Sequence, residues 1–274
     1  MNASLPAAIR AERVEIRPIT GALGAQIVGV DLSHPLTTEH ADAVRRALDE
    51  HLVLFFRGQS LTPASLRAFV ATFGPMFLHP TEKGPFADVP EVLQLRKEAG
   101  SKMLFGGAHW HSDVTWQNPV GYVSVLHGVE VPSVGNDTSF ASLSVAFDAL
   151  SEGMKSLLRG LRAVHTFHIM VPGEKVFRHA VHPVVRRHPV TGKEGFYLNR
   201  FFVDRFEGMT PEESRPILDF LFAHAVRHEF TCRFRWEKGS VAMWDNRFTL
   251  HLPINDASAE RRVMIRATAL EPPA

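Results

Sequence analysis

Two short segments hold the residue types that could do chemistry. The first is His109-Trp110-His111-Ser112-Asp113-Val114-Thr115-Trp116. In an extended chain, residues two apart share a face, so His111 and Asp113, or His109 and His111, can converge on one cation. Imidazole and carboxylate donors suit non-haem iron when a second histidine completes the set. A lone His-x-Asp is more often a polar turn. The second segment is Met243-Trp244-Asp245-Asn246-Arg247-Phe248-Thr249-Leu250-His251, an apolar strand end entering a polar turn that leads to a histidine. Arg262 and Arg266 follow. On a strand, positions 262, 264 and 266 share a face, so both guanidiniums can enter one cavity. Buried charges there need anionic partners. A dicarboxylate and a second anionic ligand would supply them through bidentate geometry that favours arginine over lysine. The plain alternative is that one arginine is solvated or sits in a structural ion pair.

These groups need a scaffold, and the periodicity indicates one. Residues 14–32 read as short extended pieces broken by Gly21, Gly24 and Gly29. A helix is predicted from Thr38, with Ala41, Val44, Leu48 and Leu52 on one face. The apolar run 52–56 reads as a buried strand, and a second helix starts at Thr62-Pro63, ending before Gly74. Residues 79–109 read as a loop that crosses the surface or covers a site. Residues 120–131, 181–189, 195–199, 230–236, 240–244 and 262–270 read as strands. Residues 142–161 and 211–227 read as helices, the former amphipathic through Val145, Leu150, Met154, Leu157 and Leu158. The expected architecture is one domain over 1–274, mainly β with flanking helices, as a sandwich or barrel.

Composition narrows the class. The chain has 274 residues, with 30 basic and 29 acidic side chains giving a net charge of +1. That balance argues against a dedicated nucleic-acid binder. The one cysteine, Cys232, rules out an intrachain disulfide or a thiolate zinc site and is expected in the core. No apolar run is long enough to span a membrane, and residues 1–13 lack the apolar stretch of a secretory signal, so a soluble cytoplasmic protein is expected. Among the 15 histidines, His182 and His188 read as hydrogen-bonded scaffold. His224 and His228 read as a solvated helix face, and Arg178, Arg186, Arg187 and Lys193 as a solvated basic stretch. His109 either points beside the metal or packs.

Taken together, the motifs resemble the taurine dioxygenase and 2,4-dichlorophenoxyacetate dioxygenase (TauD/TfdA) family of iron(II)/2-oxoglutarate-dependent oxygenases. The resemblance runs from Gly24-Ala25-Gln26-Ile27 to the C-terminal Arg-Val-Met-Ile-Arg-Ala-Thr strand. It passes in order through Phe55-Phe56-Arg57-Gly58-Gln59, Trp110-His111-Ser112-Asp113-Val114-Thr115, Pro132-Ser133 to Asp137-Thr138, and Trp244-Asp245-Asn246-Arg247. It implies a double-stranded β-helix (jelly roll). His111, Asp113 and His251 would be iron ligands and catalytic residues, Arg262 would hold the distal carboxylate of 2-oxoglutarate, and Thr138 would assist it. Arg266 would contact the substrate anion or the co-substrate, and His79 the substrate anion.

The implied activity is hydroxylation of a small anionic substrate (a sulfonate, sulfate ester or aryloxyalkanoate) with O2, converting 2-oxoglutarate to succinate and CO2. Relatives commonly form dimers or tetramers, which is expected here too. Glu82 stands where the taurine enzyme has tyrosine, and Gly107 where it has asparagine, which argues against taurine itself. The segment after His165 is also shorter than in that enzyme. Asp113 argues against a halogenase, in which the carboxylate is replaced. The rival readings are a cupin-like metal hydrolase or isomerase, which would not need Arg262, and a non-catalytic jelly-roll binding protein.

Overall fold

The strand that carries both arginines decides the architecture, because its two faces are buried by different partners. β15 (Arg262–Leu270) lies inside a seven-stranded sheet. The other six strands are β1 (Glu15–Pro18), β2 (Ala25–Val28), β3 (Val53–Phe56), β4 (Leu93–Lys97), β5 (Gly121–Glu130) and β13 (Val241–Asp245). The order across the sheet is β1-β2-β3-β13-β5-β15-β4. The structure, a computed structural model, describes residues 14–81, 84–104, 109–171, 174–257 and 259–273. The readings made at residues 1–13, Glu82 and Gly107 lie outside them.

Alternate residues of these strands serve two cores, as a pleat with period two requires. Leu54 and Phe56 of β3, Val241 and Met243 of β13, and Ile265 and Ala267 of β15 pack against α1 (Thr38–His51) and α2 (Pro63–Val70) on the outer face. Val53, Phe55, Ala242, Trp244 and Met264 face a second sheet instead. That sheet has the order β12-β6-β14, from β6 (Thr138–Ser142), β12 (Thr231–Phe234) and β14 (Thr249–Pro253). Phe55 stacks on Phe234 with centroids 4.1 Å apart. Each such ring, fully removed from water, contributes roughly 1.5–3 kcal/mol. Two sheets closed face to face around one core are the sandwich that the strand-rich pattern predicts, in the jelly-roll form that the family resemblance implies.

The remaining strands form a flank. β7 (Arg162–Val171) and β8 (Glu174–Pro183) make a long antiparallel hairpin with β11 (Val203–Phe206) at its side, and β9 (Val185–Arg187) pairs β10 (Glu194–Phe196). α5 (Pro211–Ala225) starts at a capping box between Thr210 and Glu213, with Pro211 in its first turn.

Three expectations change. The loop expected over 79–109 contains β4, whose one neighbour is β15 and whose alternating Gln94 and Arg96 are exposed; an edge strand tolerates that polarity. The helix expected over 142–161 is two: α3 (Leu143–Asp148) and α4 (Glu152–Arg159). Ser151 begins the second by accepting from the Met154 N–H, which leaves Leu157 exposed rather than on a buried stripe. The hairpin β7–β8 occupies a stretch, mostly 162–180, for which the sequence suggests no element.

Candidate active site

His111 and His251 come from segments 140 residues apart in the chain and meet through their backbones. The His111 N–H donates to the His251 carbonyl at 3.0 Å, and the His251 N–H donates to the His111 carbonyl at 2.8 Å. This one-residue antiparallel bridge puts the imidazole centroids 4.1 Å apart. Asp113, two residues along, points to the same place. One ligand atom from each of His111, Asp113 and His251 lies within 4.8 Å of the others, and all three side chains are buried. Among the described residues this is the one group of three or more donors so arranged.

Hydrogen bonds orient the donors. His111 Nδ1 is 2.8 Å from the His109 carbonyl. A carbonyl only accepts, so Nδ1 carries the proton and the Nε2 lone pair is left for a metal. That Nε2 lies 4.0 Å from Asp113 Oδ1. His251 Nδ1 is buried with no hydrogen-bond partner among the described residues. Ser124 Oγ donates to Asp113 Oδ2 at 2.7 Å, and Thr268 and Asn246 in turn hold Ser124. Asn246 Oδ1 accepts from the Asp113 backbone N–H and from Trp244 Nε1, both at 2.9 Å.

The electrostatics favour a cation. Burial alone would raise the Asp113 carboxyl, but Arg266, with Nη1 3.0 Å from Oδ1, and then His251 and His111 hold it well below the usual carboxylate range. Burial pushes His111 down against the pull of Asp113, and burial together with His111 pushes His251 further down. The site therefore presents one carboxylate and two neutral imidazoles at neutral pH, the set that suits non-haem iron(II).

A cavity of about 450 Å³ opens onto these donors. Arg262, Met264 and Arg266 all line it, as their shared face predicts, and so do Thr138 and His79. Arg262 is 3% exposed, and burial, partly opposed by Asp137, lowers its pKa to about 10. Thr138 accepts a hydrogen bond from Trp236 Nε1 at 3.0 Å. Phe167, Phe201, Phe202, Met103 and Leu104 make the apolar walls. The space thus has one cationic, buried end and one apolar, more open side.

The profile of the family described as "Taurine catabolism dioxygenase TauD, TfdA family" matches residues 15–268. The chain belongs to that family. An alpha-ketoglutarate-dependent sulfate ester dioxygenase of Pseudomonas putida is 35% identical over 97% of this chain and 93% of the relative. An alpha-ketoglutarate-dependent 2,4-dichlorophenoxyacetate dioxygenase of Cupriavidus pinatubonensis is 32% identical over 94% of this chain and 98% of its own. The crystal structure of a taurine dioxygenase from Burkholderia xenovorans superposes with a TM-score of 0.83 and 37% identity, covering 94% of this chain and 89% of the other. This protein is accordingly a dioxygenase of the 2-oxoglutarate-dependent class on a jelly-roll fold.

The structure also revises several side readings in this dioxygenase. His224 is buried on α5 and bonds the Ala146 carbonyl through Nε2 at 2.8 Å, whereas His228 is exposed. Arg186 is half-buried, paired with Glu271 at 2.8 Å, so the basic stretch is only partly solvated. His109 is exposed, and its contribution to the site is its carbonyl. Cys232 is buried as expected. His182 and His188 are scaffold as expected, and His182 reaches the turn behind Asp113.

That turn was not legible. Val114 has φ of +56°, a region that costs a β-branched residue on the order of 1–3 kcal/mol. Gly121 lies against it: a Cβ there would sit 2.7 Å from the Asp113 carbonyl oxygen. The polar turn 245–247 is a local clamp. Arg247 forks onto Asp245, reaches Glu271, and lies 3.9 Å over the Tyr122 ring.

Proposed function

We propose that this dioxygenase hydroxylates a C–H bond of a small anionic substrate of the sulfate ester, sulfonate or aryloxyalkanoate type. One atom of O2 enters the product, and 2-oxoglutarate becomes succinate and CO2. The observation that carries this reading is the buried His111, Asp113 and His251 set sharing one cavity with Arg262 and Arg266. The set fits iron(II): two neutral imidazoles and one carboxylate, with the proton on His111 Nδ1 turned away from the shared centre. Iron(II) would be held by His111, Asp113 and His251 and would supply the oxidising chemistry with 2-oxoglutarate and O2.

Arg262 and Thr138 receive the distal carboxylate of 2-oxoglutarate. A buried guanidinium whose pKa burial has lowered gains most from an anion delivered to it. Arg266 fixes Asp113 and, with His79, faces the substrate anion. Phe167, Phe202 and Trp244 keep water from the reacting atoms, which confines oxidation to the bound substrate. Hydroxylation at a carbon bearing a sulfate oxygen yields a product that collapses to an aldehyde and releases sulfate. The named substrates of the relatives support the anionic class. The family resemblance alone supports a cytoplasmic homodimer or homotetramer built from one catalytic domain. Among the described residues no helix is long and apolar enough to cross a membrane.

The test is an anaerobic titration of the metal-free protein with iron(II) and then 2-oxoglutarate, read by visible absorption and by succinate release with candidate sulfates, sulfonates and aryloxy acids. A weak charge-transfer band that Arg262→Ala loses at equal co-substrate concentration supports the reading. Succinate-independent turnover that survives Arg262→Ala points to the hydrolase or isomerase, and a folded protein that takes up no metal points to the binding protein.

A further inference from the structure

Thr115, two residues beyond Asp113, is fully buried and is gripped from three directions. His182 Nε2 donates to its carbonyl at 2.8 Å, so that nitrogen carries the ring proton. Its hydroxyl is 2.9 Å from His165 Nδ1 and accepts from Asn199 Nδ2 at 3.4 Å. Asn199 Oδ1 in turn accepts from the Phe202 backbone N–H at 2.8 Å, tying this grip to the loop that carries two walls of the cavity. Between Thr115 and Asp113 sits Val114 in the left-handed region, a conformation that its branched side chain opposes. On the other side the Asp113 backbone is fixed by Asn246. A turn held against its own preference must be held at both ends, or it relaxes and swings the carboxylate off its line.

We propose that Thr115, His182 and His165 are positioning residues for the metal carboxylate: they lock the Asp113–Val114 turn so that Asp113 meets His111 and His251. None of the three touches the shared donor centre. The inference rests on the reading of Asp113 as a metal ligand. Loss of outer partners that orient a ligand typically weakens metal binding 10–100-fold, so an effect of that size is expected when the grip is removed.

The experiment measures Mn(II) and Fe(II) affinity anaerobically, with thermal unfolding of the metal-free and metal-saturated protein, for five proteins. These are the parent, Asp113→Ala, Thr115→Val, His182→Leu and His182→Gln. Thr115→Val keeps the shape but loses the hydroxyl, and His182→Gln restores an N–H donor toward the Thr115 carbonyl. The expected result is at least tenfold weaker metal binding in Thr115→Val and His182→Leu, and recovery of at least half of that loss, on a logarithmic scale, in His182→Gln. The metal-induced rise in melting temperature should shrink in the first two, because the increment follows the affinity.

If both variants merely lower the melting temperatures of metal-free and metal-saturated protein equally, with affinity unchanged, the residues are structural and the proposal falls. If His182→Leu does not fold, Thr115→Val decides alone. If Asp113→Ala binds metal as tightly as the parent, the ligand reading itself has failed. Asp113→Ala weakened and Thr115→Val unchanged would overturn only the proposal.

Discussion

Replacing Arg262 with methionine should move stability and co-substrate binding in opposite directions. Methionine keeps the length and much of the volume of the side chain while removing its charge. The guanidinium is 3% exposed, and its pKa falls from 12.5 to about 10, first through burial and against a partial pull from Asp137. At about 1.4 kcal/mol per pH unit, that drop means the charged form costs the metal-free fold roughly 3 kcal/mol. Even half of this, relieved in Arg262→Met, raises the melting temperature by about 3–6 °C for a chain of this size. Co-substrate binding should suffer. Truncating one partner of a buried charge pair costs on the order of 2–5 kcal/mol, a factor of roughly 30 to several thousand in the dissociation constant. The assay pairs differential scanning calorimetry of metal-free protein with calorimetric titration of 2-oxoglutarate into anaerobic, Mn(II)-loaded protein. A variant that binds 2-oxoglutarate as the parent does would refute the anchor. A metal-free variant that melts well below the parent would refute the claim that this charge is held at a cost.

Three further outcomes follow from the geometry. Asp113→Ala should lower metal affinity by more than the roughly 10–100-fold typical of losing an outer partner of a ligand and abolish succinate production, measured by equilibrium metal uptake and product analysis; full retained activity would exclude the ligand role. Metal-free protein should lose stability as pH falls below about 6.5. Burial lowers the folded pKa of His111, His165, His182 and His251, so the unfolded chain takes up protons first. Each group then contributes up to about 1.4 kcal/mol per pH unit, and a melting temperature flat from pH 7.5 to 5 would contradict this. Gly121→Ala should destabilise the fold by about 1–3 kcal/mol and weaken metal binding, because its Cβ collides with the Asp113 carbonyl; chemical denaturation with a metal titration checks both.

The legible parts of this protein are those where local physics and tertiary structure agree. β15 occupies Arg262–Leu270 as its pattern predicts, and its alternation delivers both arginines to one cavity. The Thr62-Pro63 start of α2 is a local hydrogen-bond pattern that a reader can see in four residues. What stayed hidden depends on contacts distant in sequence. β4 has an edge strand's polarity and looks like loop until β15 is placed beside it. His224 has the spacing of a solvated helix face, and its burial is set by the Ala146 carbonyl 78 residues away. His111, Asp113 and His251 could be picked out by residue type together with the family motifs. The grip on Thr115 could not, because His165, His182 and Asn199 carry no spacing signal and converge only in the fold.

The reciprocal backbone bridge between His111 and His251 has a consequence for metal choice. Two histidines whose backbones are already fastened to each other, with a carboxylate fixed beside them, form a largely prepared seat, so an arriving ion spends little binding energy on ordering the chain. The metal-free enzyme is then a folded reservoir rather than an unfolded one, and its loading tracks the free ion concentration. Such a seat has no means of refusing competitors that bind nitrogen and oxygen donors more tightly, since copper and zinc outrank iron(II) at sites of this kind. Which ion sits there is thus decided by the cell's supply, and zinc is expected to act as an inhibitor that leaves the fold intact.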